Sequence, residues 1–323
     1  MEFDKEILAK IDKALLEEVN KEGILYEASK HLVMAGGKRI RPYLSVLTFL
    51  LKKDISQIDE VIQPAISVEL IHNYSLIHDD IMDNDDERRG KPTVHKIYGI
   101  PIAILAGDLL NTMAFNVISK VENPEKSKEL LKIVSEGSIK VCEGQTEDME
   151  FEKMNNEEIP TEEQYYSMIG KKTGALIETA ISIGAIMGDF TEEERKAINE
   201  YAKRIGLTFQ IQDDVLDLIG DKNTIGKPVG SDIIGGKKTI IILHALKTLS
   251  ENKKQRLLEI LGNDNANEED VKEAIEILAP SIENAKNIMK KATSEAKDYL
   301  KIFDENKRKP LEDLAEFIIK RVF

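Results

Sequence analysis

Leu76-Ile77-His78-Asp79-Asp80-Ile81-Met82-Asp83 and Phe209-Gln210-Ile211-Gln212-Asp213-Asp214-Val215-Leu216-Asp217 are the stretches on which the reading of this chain turns. From Ile77 and Ile211 onward they match in residue class at almost every position, and each closes an apolar run with helical spacing. Asp79 and Asp83 are four apart, so a helix stacks them on one face, with Asp80 about 100° round from Asp79. Two such charges 4 Å apart repel by roughly 4 kcal/mol at an effective dielectric of 20, and a helix C-terminus adds negative potential. A cation must compensate. Oxygen ligands in this number suit Mg²⁺, which takes one or two carboxylates and fills its shell with water and substrate phosphate oxygens. One acidic triplet is most simply a solvated helix face; two matched copies, each behind buried-type residues, favour metal binding.

Outward from these motifs the chain reads as helical. Of its 323 residues 41% are hydrophobic and 32% charged, with 5% aromatics and no tryptophan, and Leu, Ile, Lys and Glu dominate. Such a composition is poor in strand formers, so an all-α fold is expected and a β-sandwich or barrel is not. Periodicity places helices near 4–20, 38–52, 57–84, 101–121, 124–152, 162–188, 191–219, 232–248, 267–300 and 308–321. Asn123 before Pro124 is a helix start, and Thr161 with Gln164 and Thr191 with Glu194 have capping-box spacing. Two interruptions, 84–93 and 220–237, are rich in charge and glycine and lie between apolar helices. They read as functional loops within one domain spanning 1–323. No fixed-period repeat is present.

The balance of 45 basic against 59 acidic residues, a formal charge of −14, argues against nucleic acid or anionic lipid as a partner. A single cysteine, Cys142, excludes an internal disulfide framework and a cysteine-ligated zinc site and fits a reducing compartment. It is expected in a helix core. The N-terminus lacks a basic region followed by an apolar run. The apolar stretch 174–188 contains Glu178 and falls short of the roughly 20 residues a membrane helix needs. A soluble cytoplasmic protein without stable membrane insertion is expected.

The basic residues point to the ligand. Gly36-Gly37-Lys38-Arg39-Ile40-Arg41-Pro42 sets two glycines before three cations, and Arg88-Arg89 follows the first acidic motif. Lys171-Lys172-Thr173-Gly174 interrupts an apolar helix, and the glycine-rich loop carries Lys227 and Lys237. Arginine forks match phosphate oxygens bidentately and lysine acts as a point charge. Together they indicate two phosphate sites, one bridged by metal and one held by cations alone.

These motifs, in this order from about residue 30 to 240, resemble the trans-isoprenyl diphosphate synthases, of the short-chain archaeal type that makes farnesyl or geranylgeranyl diphosphate. The resemblance implies a helical bundle around a deep central cleft, the isoprenoid synthase fold, usually as a homodimer with the aspartate motifs facing each other. It implies a prenyltransferase that condenses isopentenyl diphosphate with dimethylallyl, geranyl or farnesyl diphosphate, using two or three Mg²⁺, for isoprenoid and lipid biosynthesis. By motif matching, Lys38, Arg41, His72 and Arg89 would hold isopentenyl diphosphate. Arg88, Lys172, Lys227 and Lys237 would hold the allylic diphosphate with metal on Asp79, Asp83 and Asp213, while Asp80, Asp214 and Asp217 complete the acidic shells. Whether Lys237 or Lys238 faces the substrate is open. Departure of the diphosphate leaves an allylic cation, for which Thr173 hydroxyl, Gln210 carbonyl and backbone carbonyls near Lys172 are suitable dipoles. The resemblance makes the released diphosphate the base.

Product length should be set on the helix of the first motif. Ser75, Tyr74 and Ile71 lie about 6, 7.5 and 12 Å below Asp79 at 1.5 Å per residue. In the family an aromatic residue at the Tyr74 position goes with shorter products. A class I terpene cyclase would lack the second Asp-Asp-x-x-Asp motif and the cations at Lys38 and Arg41, and an inactive partner subunit would lose aspartates or cleft cations; all are present. His31, His78, His95 and His244 are expected to be structural.

Overall fold

The computed structural model describes residues 3–154, 159–220 and 229–320. Its helices are α1 (Lys5–Val19), α2 (Ile24–Val33), α3 (Ile40–Leu50), α4 (Asp59–Met82), α5 (Val94–Tyr98), α6 (Ile100–Ser119) and α7 (Pro124–Lys153). Next, α8 (Glu162–Ile169) runs through a π-helical turn (Gly170–Gly174) into α9 (Ala175–Met187). Then come α10 (Glu192–Ile219), α11 (Ser231–Ile234), α12 (Ile240–Thr248), α13 (Glu251–Ile260), α14 (Glu268–Tyr299) and α15 (Glu305–Lys320). Among the described residues the sole sheet is a two-stranded hairpin, β1 (Glu87–Arg88) and β2 (Lys91–Pro92).

The chain divides into two compact units, each assembled from three segments: 1–139 with 176–202 and 299–313, and 140–175 with 203–298 and 314–323. In the first, α4 is apolar around its circumference and is buried almost continuously from Val61 to Ile71, as a helix without a polar face must be. It packs against α1, α3 and α6, and α6 also meets α2. In the second, Ile211, Val215 and Leu218 of α10 share a core with Tyr165 and Met168 of α8, Ile240 to Leu246 of α12, and Val271 to Met289 of α14.

The expected caps form. Asn123 Oδ1 accepts from the amides of Glu125 and Lys126, and the Thr161–Gln164 and Thr191–Glu194 boxes close in both directions. Several elements differ from the periodicity reading, among them the short α5 and the hairpin in the stretch read as a loop. α2 starts after Gly23, which offers no side-chain cap, and α13 is polar apart from Leu257, Leu258 and Ile260, so neither carried a strong signal. The run 162–188 contains the π turn, and 232–248 is broken between α11 and α12 at Gly235 and Gly236. Cys142 is exposed on α7, not in a core, because Val141 and Gly144 take the inward positions there. α6, not 174–188, is long and apolar enough by length and composition to cross a membrane, but Ala103, Ala106, Leu110 and Val117 are buried within the first unit.

Candidate active site

In the first unit α4 carries the motif to its end, with Asp83 as C-cap. Asp79 is half-buried, and its carboxylate makes no hydrogen bond or ion pair among the described residues. Asp80 turns inward at 1% exposure. Its Oδ1 accepts from Arg88 Nε at 2.7 Å, while its Oδ2 is buried without a hydrogen-bond partner among the described residues. Burial pushes the Asp80 carboxyl up to about 6 in spite of Arg88.

Arg88 reaches Asp80 because the loop after the motif is a hairpin. Glu87 pairs with Pro92 and Arg88 with Lys91, leaving Arg89 and Gly90 as a two-residue turn with φ of 55° and 70°. Positive φ at both central positions is the type I′ pattern, whose twist matches the strands it joins. Arg89 donates to Gly36 O, tying the hairpin to the glycine loop. Around His72, burial and the guanidiniums of Arg41, Arg89, Arg88 and Arg39 hold the imidazole well below its ordinary pKa, so it is neutral at pH 7. Lys38 is exposed on the adjoining loop. Arg39, the middle cation, is internal: burial opposes its charge, but Glu69 and Asp12 hold its pKa raised. The residue sequence reasoning missed here is Glu69, a carboxylate within the apolar run Val68 to Ile71. Below the motif Ile71 is fully buried, Ser75 is half-buried, and Tyr74 meets His78 edge-on at 4.9 Å; His78 Nε2 lies 3.0 Å from Ile104 O.

In the second unit the π turn shapes the chemistry. A π-helical turn adds a residue to the α-helical repeat and widens it, and such turns recur at functional sites. The backbone there is approached so closely that a Cβ on Gly144 would lie 2.2 Å from Lys172 N, and one on Gly206 2.8 Å from Gly174 Cα. Thr173 Oγ1 donates to Gln210 Oε1 at 2.5 Å, and Gln210 Nε2 donates to Asp214 Oδ1 at 2.9 Å. Tyr165 OH closes the chain on Asp214 Oδ2. Lys172 Nζ pairs with Asp148 at 2.5 Å. A cavity of this unit is lined by Lys172, Gln210, Asp214, Asp232 and Lys237 among others.

Asp217 accepts from Ser231 Oγ at 2.6 Å and from the Asp232 amide at 3.1 Å. Burial raises Asp214 to about 7 and Asp217 to about 6, and the charge of Asp232 adds to both. Asp213 is half-buried. Lys238 is buried and donates to Gly236 O, whereas Lys237 Nζ lies 3.8 Å from Asp232 and 4.0 Å from Glu152. Lys227 lies outside the described residues. Tyr165 is the second residue that sequence reasoning missed; nothing in the local pattern of α8 separates it from Tyr166.

Among the described residues no group of three or more His, Cys, Asp or Glu side chains forms a ready-made metal site. The donors nonetheless fit an oxygen-ligated cation that takes few carboxylates and completes its shell with phosphate: Asp79 is uncommitted, and Asp80 keeps an unpartnered buried oxygen.

The polyprenyl synthetase family profile matches residues 22–278. A short chain isoprenyl diphosphate synthase of Methanocaldococcus jannaschii is 64% identical over 323 residues, covering 100% of this chain and 97% of that protein. Among solved structures, a geranylgeranyl pyrophosphate synthetase from Pyrococcus horikoshii superimposes with a TM-score of 0.89 at 46% identity, covering 98% of this chain and 97% of the other. A polyprenyl synthase from Caulobacter crescentus, complexed with calcium and isoprenyl diphosphate, gives 0.88 at 27% identity over 99% and 96%. This chain belongs to the polyprenyl synthetase family. It has the all-α isoprenoid synthase fold and is a prenyltransferase.

The raised carboxyls have a consequence for stability. In metal-free protein the native state binds protons at Asp80, Asp214 and Asp217 more tightly than the unfolded chain does. The stability this confers is present below about pH 4 and is lost as the pH rises through about 6 to 7. Asp214→Asn removes one of these groups, so its melting temperature in chelator should fall less between pH 5 and 8 than that of the wild type. Parallel curves would contradict the assignment.

Proposed function

We propose that the chain condenses isopentenyl diphosphate head to tail with dimethylallyl, geranyl and farnesyl diphosphates, in a Mg²⁺-dependent reaction, to give all-trans geranylgeranyl diphosphate, with farnesyl diphosphate as the shorter product. The observation that carries this reading is the Thr173–Gln210 pair beside Lys172 on the π turn. A hydroxyl and an amide oxygen stabilise an allylic cation by their dipoles without attacking it readily. Lys172, Arg88, Lys237 and, outside the described residues, Lys227 hold the allylic diphosphate. Lys237 is assigned over Lys238 because the Lys238 ammonium is already bound to Gly236 O. Lys38, Arg41, His72 and Arg89 hold isopentenyl diphosphate without metal, the neutral imidazole serving as a hydrogen-bonding group among cations.

Asp79, Asp83 and Asp213 are the proposed ligands of two or three Mg²⁺, which would neutralise the charge of the departing diphosphate. Asp80, Asp214 and Asp217 complete the acidic shells: Asp80 is bound through Oδ1 to Arg88 and keeps Oδ2 for the cation, while Asp214 accepts from Tyr165 and Gln210 and Asp217 from Ser231. The proton lost after condensation goes to the released diphosphate.

The whole chain is read as one synthase domain, a reading supported by the three segments of one unit alternating along the sequence with the three of the other. It works in the cytoplasm as a homodimer. Support for the dimer comes from α5 and α6: Ile97 of α5 and Ile100, Ile104 and Leu105 of α6 are each more than two-fifths exposed, apolar surface that a monomer would leave in water. Sedimentation equilibrium should return twice the 36.4 kDa chain mass, and a monomer would remove that assignment.

Asp79→Ala and Asp213→Ala should each lower turnover by at least a hundredfold in Mg²⁺ buffer with the circular dichroism spectrum retained. Near-normal activity of either would sink the ligand assignment. Tyr74 is read as the floor that limits the growing tail, braced by His78 against Ile104. Each buried methylene favours retention of the chain by about 0.8 kcal/mol, so more room means further rounds of extension. Tyr74→Ala should therefore shift the product toward C25 and longer, and an unchanged chain-length profile by chromatography would count against the role.

A further inference from the structure

Arg39 is 5% exposed and sits at φ of 52° at the start of α3, in the left-handed region that few non-glycine residues adopt. Its guanidinium is engaged on every nitrogen. Nε donates to Asp12 Oδ1 at 2.8 Å, and Nη2 donates to Val33 O at 2.6 Å, at the end of α2. Nη1 donates to Glu69 Oε1 at 3.1 Å and to Gly36 O at 3.3 Å. Glu69 is 2% exposed, and the buried amide of Asn73 donates to its backbone carbonyl and approaches Oε1 at 3.5 Å. From the other side Arg89 also donates to Gly36 O, and its guanidinium lies 3.2 Å from where a Cβ on Gly37 would stand. The segment between Val33 and Arg39 is thus bracketed by two arginines that share one carbonyl.

Such a bracket is more than core packing. A buried guanidinium paired with a buried carboxylate is not a favourable way to fill a core, and apolar residues of similar volume are often as stable or more so. What the pair does here is geometric. With Arg39 drawn inward, its neighbour Lys38 stands exposed and Arg89 is fixed against the loop, while Glu69, which anchors Arg39, lies about one turn of α4 before His72.

We propose that Arg39 and Glu69 are positioning residues for the isopentenyl diphosphate site: they touch no substrate but hold the 36–39 loop so that Lys38, Arg41 and Arg89 converge on one diphosphate. The inference rests on the reading that these cations and His72 bind that substrate. Planarity is part of it, because a lysine at position 39 reaches one acceptor where the fork reaches several.

Glu69→Gln and Arg39→Lys are the tests, each checked for folding by thermal melting. Steady-state kinetics with isopentenyl diphosphate varied at saturating allylic diphosphate, and the converse, should show KM for isopentenyl diphosphate raised tenfold or more. KM for the allylic substrate and kcat should stay within threefold. An unchanged KM for isopentenyl diphosphate in the folded variants, or an equal rise for both substrates, overturns the proposal. Asp12→Asn, which removes only the half-exposed partner, should shift the same constant by a smaller factor, and it decides the matter if Glu69→Gln does not fold. Lys38→Ala separates the two levels. If it leaves KM for isopentenyl diphosphate unchanged, the site assignment itself fails; if it raises that KM while the folded positioning variants do not, only the present inference fails.

Discussion

The chemistry of this protein is constrained by the placing of six carboxylates, since burial disfavours the charge of three of them and crowding by neighbouring acids adds repulsion. Six aspartates stand at the ends of two helices in a chain that is already acidic, and the protein divides them. Asp80 is drawn inward by Arg88, Asp214 by Tyr165 and Gln210, and Asp217 by Ser231 and the Asp232 amide. Burial raises all three, so they carry less charge near neutrality than ordinary aspartates would. Among the described residues Asp79 makes no side-chain hydrogen bond or ion pair, and it lies one turn of α4 before Asp83. The inward carboxylates also orient functional groups, since Asp214 accepts from the amide nitrogen of Gln210 and so turns its oxygen toward Thr173.

Much of this was legible in the sequence, and the limit of legibility has a physical basis. Helices, caps and the repeated acidic motif are local patterns, so α4, α7 and α10 and the capping boxes at Thr161 and Thr191 could be read from spacing. Inward or outward choice is not local. Arg39 looks like its neighbours Lys38 and Arg41 until Asp12 and Glu69, 27 and 30 residues away, are brought beside it. Lys237 and Lys238 differ only in which one meets Gly236 O, and Tyr165 acquires a role only through Asp214, 49 residues on. The hairpin at Arg88 to Lys91 was hidden by brevity, and the π turn by periodicity that continues on both of its sides.

The same distinction resolves the net charge. A formal charge of −14 describes the far field and disfavours polyanions that would lie along a broad surface. It does not describe the surroundings of His72, where guanidiniums dominate, or of the Asp79 to Asp83 face, where carboxylates do. One environment suits a diphosphate alone and the other a diphosphate with a cation. Isothermal titration of the protein with inorganic diphosphate, with and without Mg²⁺, tests this directly. One site in chelator and a second that appears only with Mg²⁺ is the predicted result. A single site indifferent to the metal, or no binding without it, would contradict the account.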